Sequence, residues 1–204
     1  MKKIFLDIET LPAAEEDFER LRGVWQRKKK KAKAKGREGE SFEDFLEKTN
    51  FSGTFGRIFC IAYALDEEAP VCLSGNEKDM LKQFWIVASD VDLFIGHNIL
   101  DFDLRFIIQR SMILEALPSR EISFRRYQNH PVFDTMHEWD KWGNTYTSLD
   151  ELAQAFNIPT SKGDIDGSLV HAFYKDGRHE EIIKYCCADV EVVRKVYKKI
   201  NFEK

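Results

Sequence analysis

Two carboxylates stand close together near the start of the chain. Asp7 and Glu9 flank Ile8 at the end of an apolar run, which predicts a strand over residues 2–8. Because side chains alternate along a strand, Asp7 and Glu9 share one face and lie roughly 7 Å apart. Two like charges on an interior strand repel each other and resist burial, and a cation would offset both costs. The alternative is a strand end that emerges into water.

A further carboxylate interrupts the apolar face of the helix predicted at residues 180–200. Asp189 lies in the helical stripe where an apolar residue is expected, and Tyr185 lies four residues earlier on the same face. A buried Asp needs partners. A backbone group or an arginine would satisfy it, and so would a functional site. The apolar members of the stripe are Ile182, Cys186, Val193, Val196 and Ile200.

The segment from Gly96 to Asp103 follows an apolar strand and opens a helix predicted at residues 102–114. Carboxylates are favourable at a helix N-terminus, so Asp101 and Asp103 are compatible with simple capping. The carboxyl ends of strands in α/β sheets also host functional sites. His97, taken alone, is predicted to be a loop residue rather than a metal ligand.

In this order, the three segments resemble the DEDD exonucleases of the DnaQ-like superfamily. The matching motifs are Asp7-x-Glu9, Asn98-x-x-x-Phe102-Asp103 and Tyr185-x-x-x-Asp189. The resemblance is closest to the proofreading-exonuclease domain of family B DNA polymerases and to its stand-alone relatives. A histidine variant of the superfamily would carry His at the position of Lys184, so Tyr185 matches the tyrosine variant, DEDDy. Residues 162–167, Lys-Gly-Asp-Ile-Asp-Gly, also resemble the stand-alone group.

This resemblance implies a ribonuclease H-like fold and a metal-dependent 3′–5′ exonuclease. Two divalent ions, Mg²⁺ or Mn²⁺, would be held by Asp7, Glu9, Asp103 and Asp189. Oxygen-only ligands suit such hard cations. The implied substrate is single-stranded or frayed DNA. A two-metal-ion mechanism would hydrolyse its 3′-terminal phosphodiester bond and release nucleoside 5′-monophosphates.

The resemblance also gives roles to residues around the carboxylates. Tyr185 would orient the attacking water, because its reference pKa of about 10 makes it a poor base at neutral pH. The family pattern puts the metal ligand directly after Phe102. We therefore expect Asp103 to ligate the ion and Asp101 to cap the helix.

Four residues are expected to contact the terminal nucleotide. Thr10 and Leu11 follow the first motif at the matching positions, and Asn98 and Phe102 of the second motif could line the same pocket. Ordinary core packing explains Leu11 equally well, and Phe102 could equally anchor the core.

Other functions are compatible with the same residues. The site could act on RNA, since we identify no residue that reads a 2′-hydroxyl. The chain could also be a nucleic-acid-binding or recruitment module with little intrinsic activity, although all four carboxylates and the tyrosine are present. A structural subunit that delivers DNA ends to a partner is a further alternative. We expect any polymerase or repair partner to be a separate chain.

The predicted elements indicate an α/β fold with a mixed sheet of about five strands flanked by helices, forming one domain over residues 1–204. A Lys-rich insertion occupies about residues 12–53. Strands are predicted at residues 2–8, 57–65, 71–74, 91–96 and 132–135. Helices are predicted at residues 15–35, 40–48, 76–88, 102–114, 148–156, 168–174 and 180–200. Ser148 and Glu151 predict a capping box.

The charge distribution is uneven. The segment from Arg27 to Arg37 holds eight Lys or Arg residues and no acid, and without it the formal net charge falls from −4 to −12. An acidic body suits a carboxylate cluster that binds cations. The basic segment could clamp phosphates or guide a single strand of nucleic acid. The simpler alternative is a solvated helix face or a tail.

The remaining composition predicts a cytoplasmic protein with no membrane association. No apolar run approaches the roughly 18 residues of a membrane span, and a charge at Asp7 comes too early for a signal-peptide core. Cys60, Cys72, Cys186 and Cys187 form no Cys-x-x-Cys pair. We predict that they are reduced structural thiols rather than a zinc site or a disulfide framework.

Overall fold

A mixed five-stranded sheet forms the centre of the computed structural model, which describes residues 1–160 and 165–203. The strands are β1 (Lys3–Leu11), β2 (Arg57–Leu65), β3 (Val71–Ser74), β4 (Leu93–Gly96) and β5 (Val132–Asp134). Their order across the sheet is β3-β2-β1-β4-β5. β2 pairs antiparallel with β1 and β3, whereas β4 runs parallel to β1 and β5. The predicted α/β fold with a mixed sheet of five strands is confirmed.

Helices flank the sheet and fill the connections between strands. They are α1 (Phe18–Ala34), α2 (Phe42–Glu47), α3 (Glu77–Val87), α4 (Asp103–Leu114), α5 (Thr135–Asp140), α6 (Leu149–Ala155), α7 (Val170–Lys175) and α8 (His179–Ile200). The capping box of Ser148 and Glu151 is present at the start of α6. α5 was not predicted from the sequence, because six residues are too few to show a helical apolar pattern. None of the helices in the described ranges combines the length and apolar character needed to span a bilayer.

Strand β1 separates two layers of the core. Ile4, Leu6 and Ile8 are at most 4% exposed and pack on one face with the apolar side chains of α3 and α4. Phe5 and Leu11 face the opposite layer, which is covered by α8. The alternation of side chains puts Asp7 and Glu9 in this second layer as well. The predicted division of the strand into an apolar face and a carboxylate-bearing face is therefore present in the fold.

The strand continues further than the sequence indicated. The prediction ended at residue 8 because Pro12 follows closely, but β1 extends to Leu11. Its partner strand makes this possible. The register moves from Glu9 opposite Cys60 to Thr10 opposite Ile58, so β2 carries one extra residue in a β-bulge. The bulge preserves the pairing of β1 just after its two carboxylates.

The connection between β1 and β2 contains α1, α2 and a small apolar core of its own, in which Leu21, Phe42 and Phe45 are at most 6% exposed. Both predicted helices of this connection are confirmed. Residues 27–37, which we call the basic arm, comprise the C-terminal half of α1 and the residues after it, and every Lys and Arg side chain in the arm is exposed. The assignment of residues 1–204 to one domain stays a prediction.

Polar contacts join this connection to the end of β1 and to two helices. The Thr10 hydroxyl donates to the carbonyl oxygen of Asn50 at 2.9 Å. Glu47 lies 2.8 Å from Nδ1 of His171 in α7. The guanidinium of Arg110 in α4 donates to the carbonyl oxygen of Gly53 at 3.4 Å. The connection is thereby held at the end of β1 that carries Glu9.

Candidate active site

The site forms where β1 extends beyond the end of its parallel neighbour, β4. β4 pairs only with residues 3–5 of β1, so among residues 1–160 and 165–203 the later part of β1 has no strand partner on that side. The backbone N–H of Ile8 donates instead to Oδ1 of Asp103 at 3.0 Å. Since Asp103 is the first residue of α4, this hydrogen bond holds the start of the helix against the strand segment that carries Asp7 and Glu9.

Four carboxylates from three elements converge here. Glu9, Asp103 and Asp189 are each less than 10% exposed, and Asp7 is partly buried. Burial raises the pKa of Asp7 well above its ordinary value, and the charges of Asp103 and Asp189 raise it further. Burial also raises the pKa of Glu9, again with added repulsion from Asp189 and Asp103. The structure therefore brings together the four acidic residues that the motifs singled out.

Asp103 differs from Asp7 and Glu9 because its carboxylate accepts a hydrogen bond from a backbone N–H. Burial raises its pKa to about 7, while the hydrogen bond from the Ile8 N–H favours the charged form and limits the rise. Asp134 and Asp189 add repulsion. This residue is therefore poised between its neutral and charged forms near neutral pH when no cation is present.

Tyr185 lies one helical turn before Asp189 on the same side of α8. Burial raises the pKa of its phenol above the ordinary value, and the neighbouring charges of Asp189 and Glu9 and a hydrogen bond to Asp189 raise it further. The phenol is therefore neutral throughout the physiological pH range. It can donate a hydrogen bond to a carboxylate and accept one from water, but it cannot act as a base.

Cys186 also lies at the site, although its sequence context predicted a structural thiol. Its thiol lies 3.2 Å from Oδ2 of Asp7, to which it donates a hydrogen bond. Potential ligand atoms of Asp7, Glu9 and Cys186 all lie within 4.8 Å of one another. A signal was present in the sequence, because Cys186 shares the helical stripe of Asp189 and lies one turn before it.

A second missed residue, Asp134, organises the loop before α4. Its carboxylate is 2% exposed and accepts hydrogen bonds from two groups of backbone N–H donors. Two donors belong to the loop between β4 and α4, and two belong to the first turn of α5. They are Asn98 at 3.0 Å, Leu100 at 3.1 Å, Met136 at 3.0 Å and His137 at 3.2 Å. The local signal in the sequence was an Asp at the end of a short apolar strand, which is typical of a helix cap.

His97 takes no part in the carboxylate cluster. Its ring lies 3.0 Å from the Thr135 hydroxyl and 3.0 Å from the carbonyl oxygen of Thr147. Burial lowers the pKa of His97 to about 4, so the ring is neutral at physiological pH. Its contacts join the loop after β4 to α5 and to the segment before α6.

The expectation that Asp101 caps α4 is wrong. Phe102 occupies the N-cap position, with no side-chain capping hydrogen bond. The Asp101 carboxylate instead pairs with Arg105 at 2.7 Å and lies 3.1 Å from Nε2 of His137. A basic side chain one turn along the helix and a histidine from α5 provide the partners that the local sequence did not reveal.

The residues expected to contact a nucleotide have different environments. The Thr10 hydroxyl is engaged by Asn50, and Leu11 is 2% exposed in the core below α8. Asn98 is partly buried and has a left-handed backbone with φ of 58°. Phe102 is partly buried, packs against Phe106 and lines a cavity of about 190 Å³. The core alternative for Leu11 fits its burial, and the nucleotide contacts stay predictions.

The segment at residues 162–167 is described only in part, because residues 162–164 lie outside the described residues. Ile165 is 8% exposed and packs into the core below α8. The Asp166 carboxylate accepts hydrogen bonds from the backbone N–H and the hydroxyl of Ser168.

The donor set fits divalent cations. Within residues 1–160 and 165–203, no salt bridge joins Asp7, Glu9 or Asp103 to a basic side chain, so the excess negative charge is not balanced by Lys or Arg. Carboxylate oxygens are the ligands that Mg²⁺ and Mn²⁺ prefer. The burial and mutual repulsion of these groups are the costs that a bound cation would offset.

The sheet and the converging carboxylates define an α/β protein of the exonuclease type. A family model described as a predicted 3′-5′ exonuclease related to the exonuclease domain of PolB matches residues 63–202, about two thirds of the chain. The chain belongs to this family. Asp7 and Glu9 precede the matched residues, so their place beside Asp103 and Asp189 comes from the structure.

A solved structure resembles nearly the whole chain. The family B DNA polymerase from the hyperthermophilic archaeon Pyrobaculum calidifontis aligns with a TM-score of 0.67 and 14% identity, over 98% of this chain and 24% of the polymerase chain. The chain therefore spans about a quarter of that polymerase's length. This likeness confirms the ribonuclease H-like fold. No curated protein sequence matches the chain significantly.

Proposed function

We propose that the chain is a 3′–5′ exonuclease that hydrolyses the terminal phosphodiester bond of single-stranded or frayed DNA. Residues 1–204 would act as one exonuclease domain and release nucleoside 5′-monophosphates. The observation that carries this proposal is the convergence of buried carboxylates from β1, α4 and α8, with no basic partner for Asp7, Glu9 or Asp103 in the described chain. Two Mg²⁺ or Mn²⁺ ions would be held by Asp7, Glu9, Asp103 and Asp189.

The carboxylates and Tyr185 would have different roles in the proposed hydrolysis. Two divalent ions, when bound, lower the pKa of water and stabilise the departing 3′-oxygen. Asp7 and Glu9 hold their positions through the rigid central strand, and Asp103 is held by Ile8. The Tyr185 phenol, which is neutral, orients the attacking water by accepting its hydrogen bond while donating to Asp189.

The proposal also includes residues outside the carboxylate cluster that would contact the nucleic acid. Phe102 has a partly exposed ring beside Asp103 and would contact the terminal base together with Asn98. Thr10 and Leu11 would shape the floor of the pocket. The basic arm would attract the phosphates of the upstream strand, since its side chains are exposed on an otherwise acidic protein.

A nuclease assay tests the proposal directly. The purified protein would be incubated with 5′-labelled single-stranded DNA or RNA and with Mg²⁺, Mn²⁺ or chelator, beside Asp7→Ala. Asp79→Ala, an exposed acid on α3, is the control. We expect a metal-dependent ladder that shortens from the 3′ end of DNA in the wild type and Asp79→Ala but is absent in Asp7→Ala.

Other results would redirect the assignment. Faster cleavage of RNA would make the protein an exoribonuclease. Binding without cleavage would favour a recruitment module, which a polymerase or repair protein would complement. Wild-type cleavage by Asp7→Ala would refute the proposed metal centre.

A further inference from the structure

A sulfur atom lies among the oxygen ligands of the candidate metal centre. The Cys186 thiol is 3.2 Å from Oδ2 of Asp7 and 3.5 Å from its carbonyl oxygen. Potential ligand atoms of Asp7, Glu9 and Cys186 lie within 4.8 Å of one another. Cys186 is fully buried, so its thiol is directed into the site and away from solvent.

The other three cysteines belong to the same apolar layer of the core as Cys186. Cys60 in β2 is buried in this layer, and Cys72 in β3 and Cys187 in α8 pack against it. Three elements that are distant in the sequence therefore contribute cysteines to one layer of the core, and the Cys186 thiol is the one that contacts Asp7. The contacts with Asp7 and the burial of Cys186 in this layer hold its side chain next to the carboxylates.

The spacing of the donors suits a tetrahedral ion with mixed ligands. Zinc bonds of about 2.3 Å to sulfur and about 2.0 Å to oxygen separate two ligands by about 3.5 Å. The Cys186 sulfur and the nearest Asp7 oxygen are already 3.2 Å apart. A small displacement would therefore admit an ion between them, and Glu9 is close enough to supply another oxygen.

We infer that Asp7, Glu9 and Cys186 form a binding site for a thiophilic divalent ion such as Zn²⁺, which competes with Mg²⁺ or Mn²⁺ for the two carboxylates. On binding, the Cys186 S–H bond breaks, a sulfur–zinc bond forms and the proton passes to solvent, with no change in oxidation state. Thiolate favours zinc over magnesium, and zinc ranks above manganese in the general order of divalent affinities. The competing ion would thus inhibit the hydrolysis proposed above.

This inference rests on the metal centre of the proposed function but not on cleavage itself. Its test therefore uses substrate-free protein. Co²⁺ serves as a probe because a cobalt–thiolate bond gives a charge-transfer absorption in the near ultraviolet that carboxylates alone do not give. Calorimetry would measure Zn²⁺ and Mg²⁺ affinity, and a weakly buffered titration would count the protons released.

Cys186→Ser is the informative variant because serine keeps a hydrogen-bond donor beside Asp7. Cys187→Ser is the matched control on the next residue of α8. In the wild type and Cys187→Ser, we expect the cobalt–thiolate absorption and release of the thiol proton. In Cys186→Ser, we expect loss of that absorption and a Zn²⁺ affinity lower by about tenfold or more, with Mg²⁺ affinity nearly unchanged.

Two results would overturn the inference. One is absence of the cobalt–thiolate absorption in wild-type protein saturated with Co²⁺, which needs no variant to fold. The other is persistence of the absorption in Cys186→Ser, which would assign the sulfur ligand to another cysteine. A protein that shows the absorption but cleaves no nucleic acid would refute the proposed function alone, and an active nuclease without the absorption would refute this inference alone.

Discussion

The backbone N–H of Ile8 donates a hydrogen bond to the carboxylate of Asp103, 95 residues further along the chain. This contact joins the central strand to the first residue of α4. It gives Asp103 two tasks, because the same side chain stabilises the junction and belongs to the carboxylate cluster. The two tasks can be separated experimentally.

Asp103→Asn keeps an oxygen that can accept the Ile8 hydrogen bond but removes the charge. We expect the variant to fold and to lose activity by about 10²–10³-fold, because it removes a charged ligand of the proposed metal centre. A 5′-labelled DNA assay and a thermal unfolding curve would measure the two effects. Asp101→Asn is the matched control, since the Asp101 carboxylate pairs with Arg105 and His137, and it should retain activity. Equal losses in both variants would contradict the choice of Asp103.

The raised pKa of Asp103 predicts how stability depends on pH in the presence of chelator. The folded protein binds a proton at Asp103 up to about pH 7, whereas the unfolded chain releases it near the ordinary value of 3.8. The free energy of unfolding should therefore fall as pH rises between these values. The loss corresponds to about 1.4 kcal/mol for each unit of pKa shift.

Urea unfolding of wild type and Asp103→Asn at several pH values between 5 and about 8 would measure this effect. We expect the two proteins to differ least at the acidic end, with Asp103→Asn becoming relatively more stable as pH rises. Mg²⁺ should restore the free energy of unfolding of the wild type at the alkaline end of this range. A stability difference that does not depend on pH would show that Asp103 titrates normally.

Asp134 supports the loop that precedes α4. Asp134→Ala would leave four backbone N–H groups without their acceptor, so we expect the free energy of unfolding to fall by about 2–4 kcal/mol. Asp134→Asn retains one acceptor oxygen and should lose less. Chemical denaturation of both variants would give the comparison. A loss below about 1 kcal/mol in Asp134→Ala would mean that water or a shifted backbone replaces the carboxylate.

Tyr185→Phe tests the role of the neutral phenol. All four carboxylates remain in this variant, so Mn²⁺ affinity should stay close to that of the wild type. Turnover should fall by roughly 10²-fold because the attacking water loses its orienting group. Calorimetry and single-turnover cleavage would separate these quantities. Loss of metal binding would show that the phenol positions Asp189 rather than water.

The basic arm should contribute to binding through long-range attraction. Replacing Lys30 and Lys31 with Gln should weaken binding of single-stranded DNA at low salt and reduce the salt slope by up to about 1.4, if both contact phosphates. Lys195→Gln with Lys199→Gln is the matched control, since both residues are exposed near the end of α8. Fluorescence anisotropy across a salt series would measure the slope. Equal slopes for the two double variants would leave the arm without a specific role in binding.

Local periodicity in the sequence determined much of this architecture. Alternation along β1 predicts that Asp7 and Glu9 share a face, and helical spacing predicts that Asp189 lies in the buried stripe of α8. Both predictions depend on residues only a few positions apart, because backbone geometry fixes which neighbours share a face. The ordered motifs then indicated the family, which the comparisons confirmed.

Only the tertiary structure decided the contacts between distant residues. The bulge in β2 keeps β1 paired in the sheet as far as Leu11. The Asp134 carboxylate accepts hydrogen bonds from backbone N–H groups of a loop more than 30 residues away. The Cys186 thiol meets Asp7 across a separation of 179 residues. No local period constrains such pairs, because they depend on how the elements pack. The buried carboxylate cluster and its sulfur neighbour therefore exist only in the folded chain.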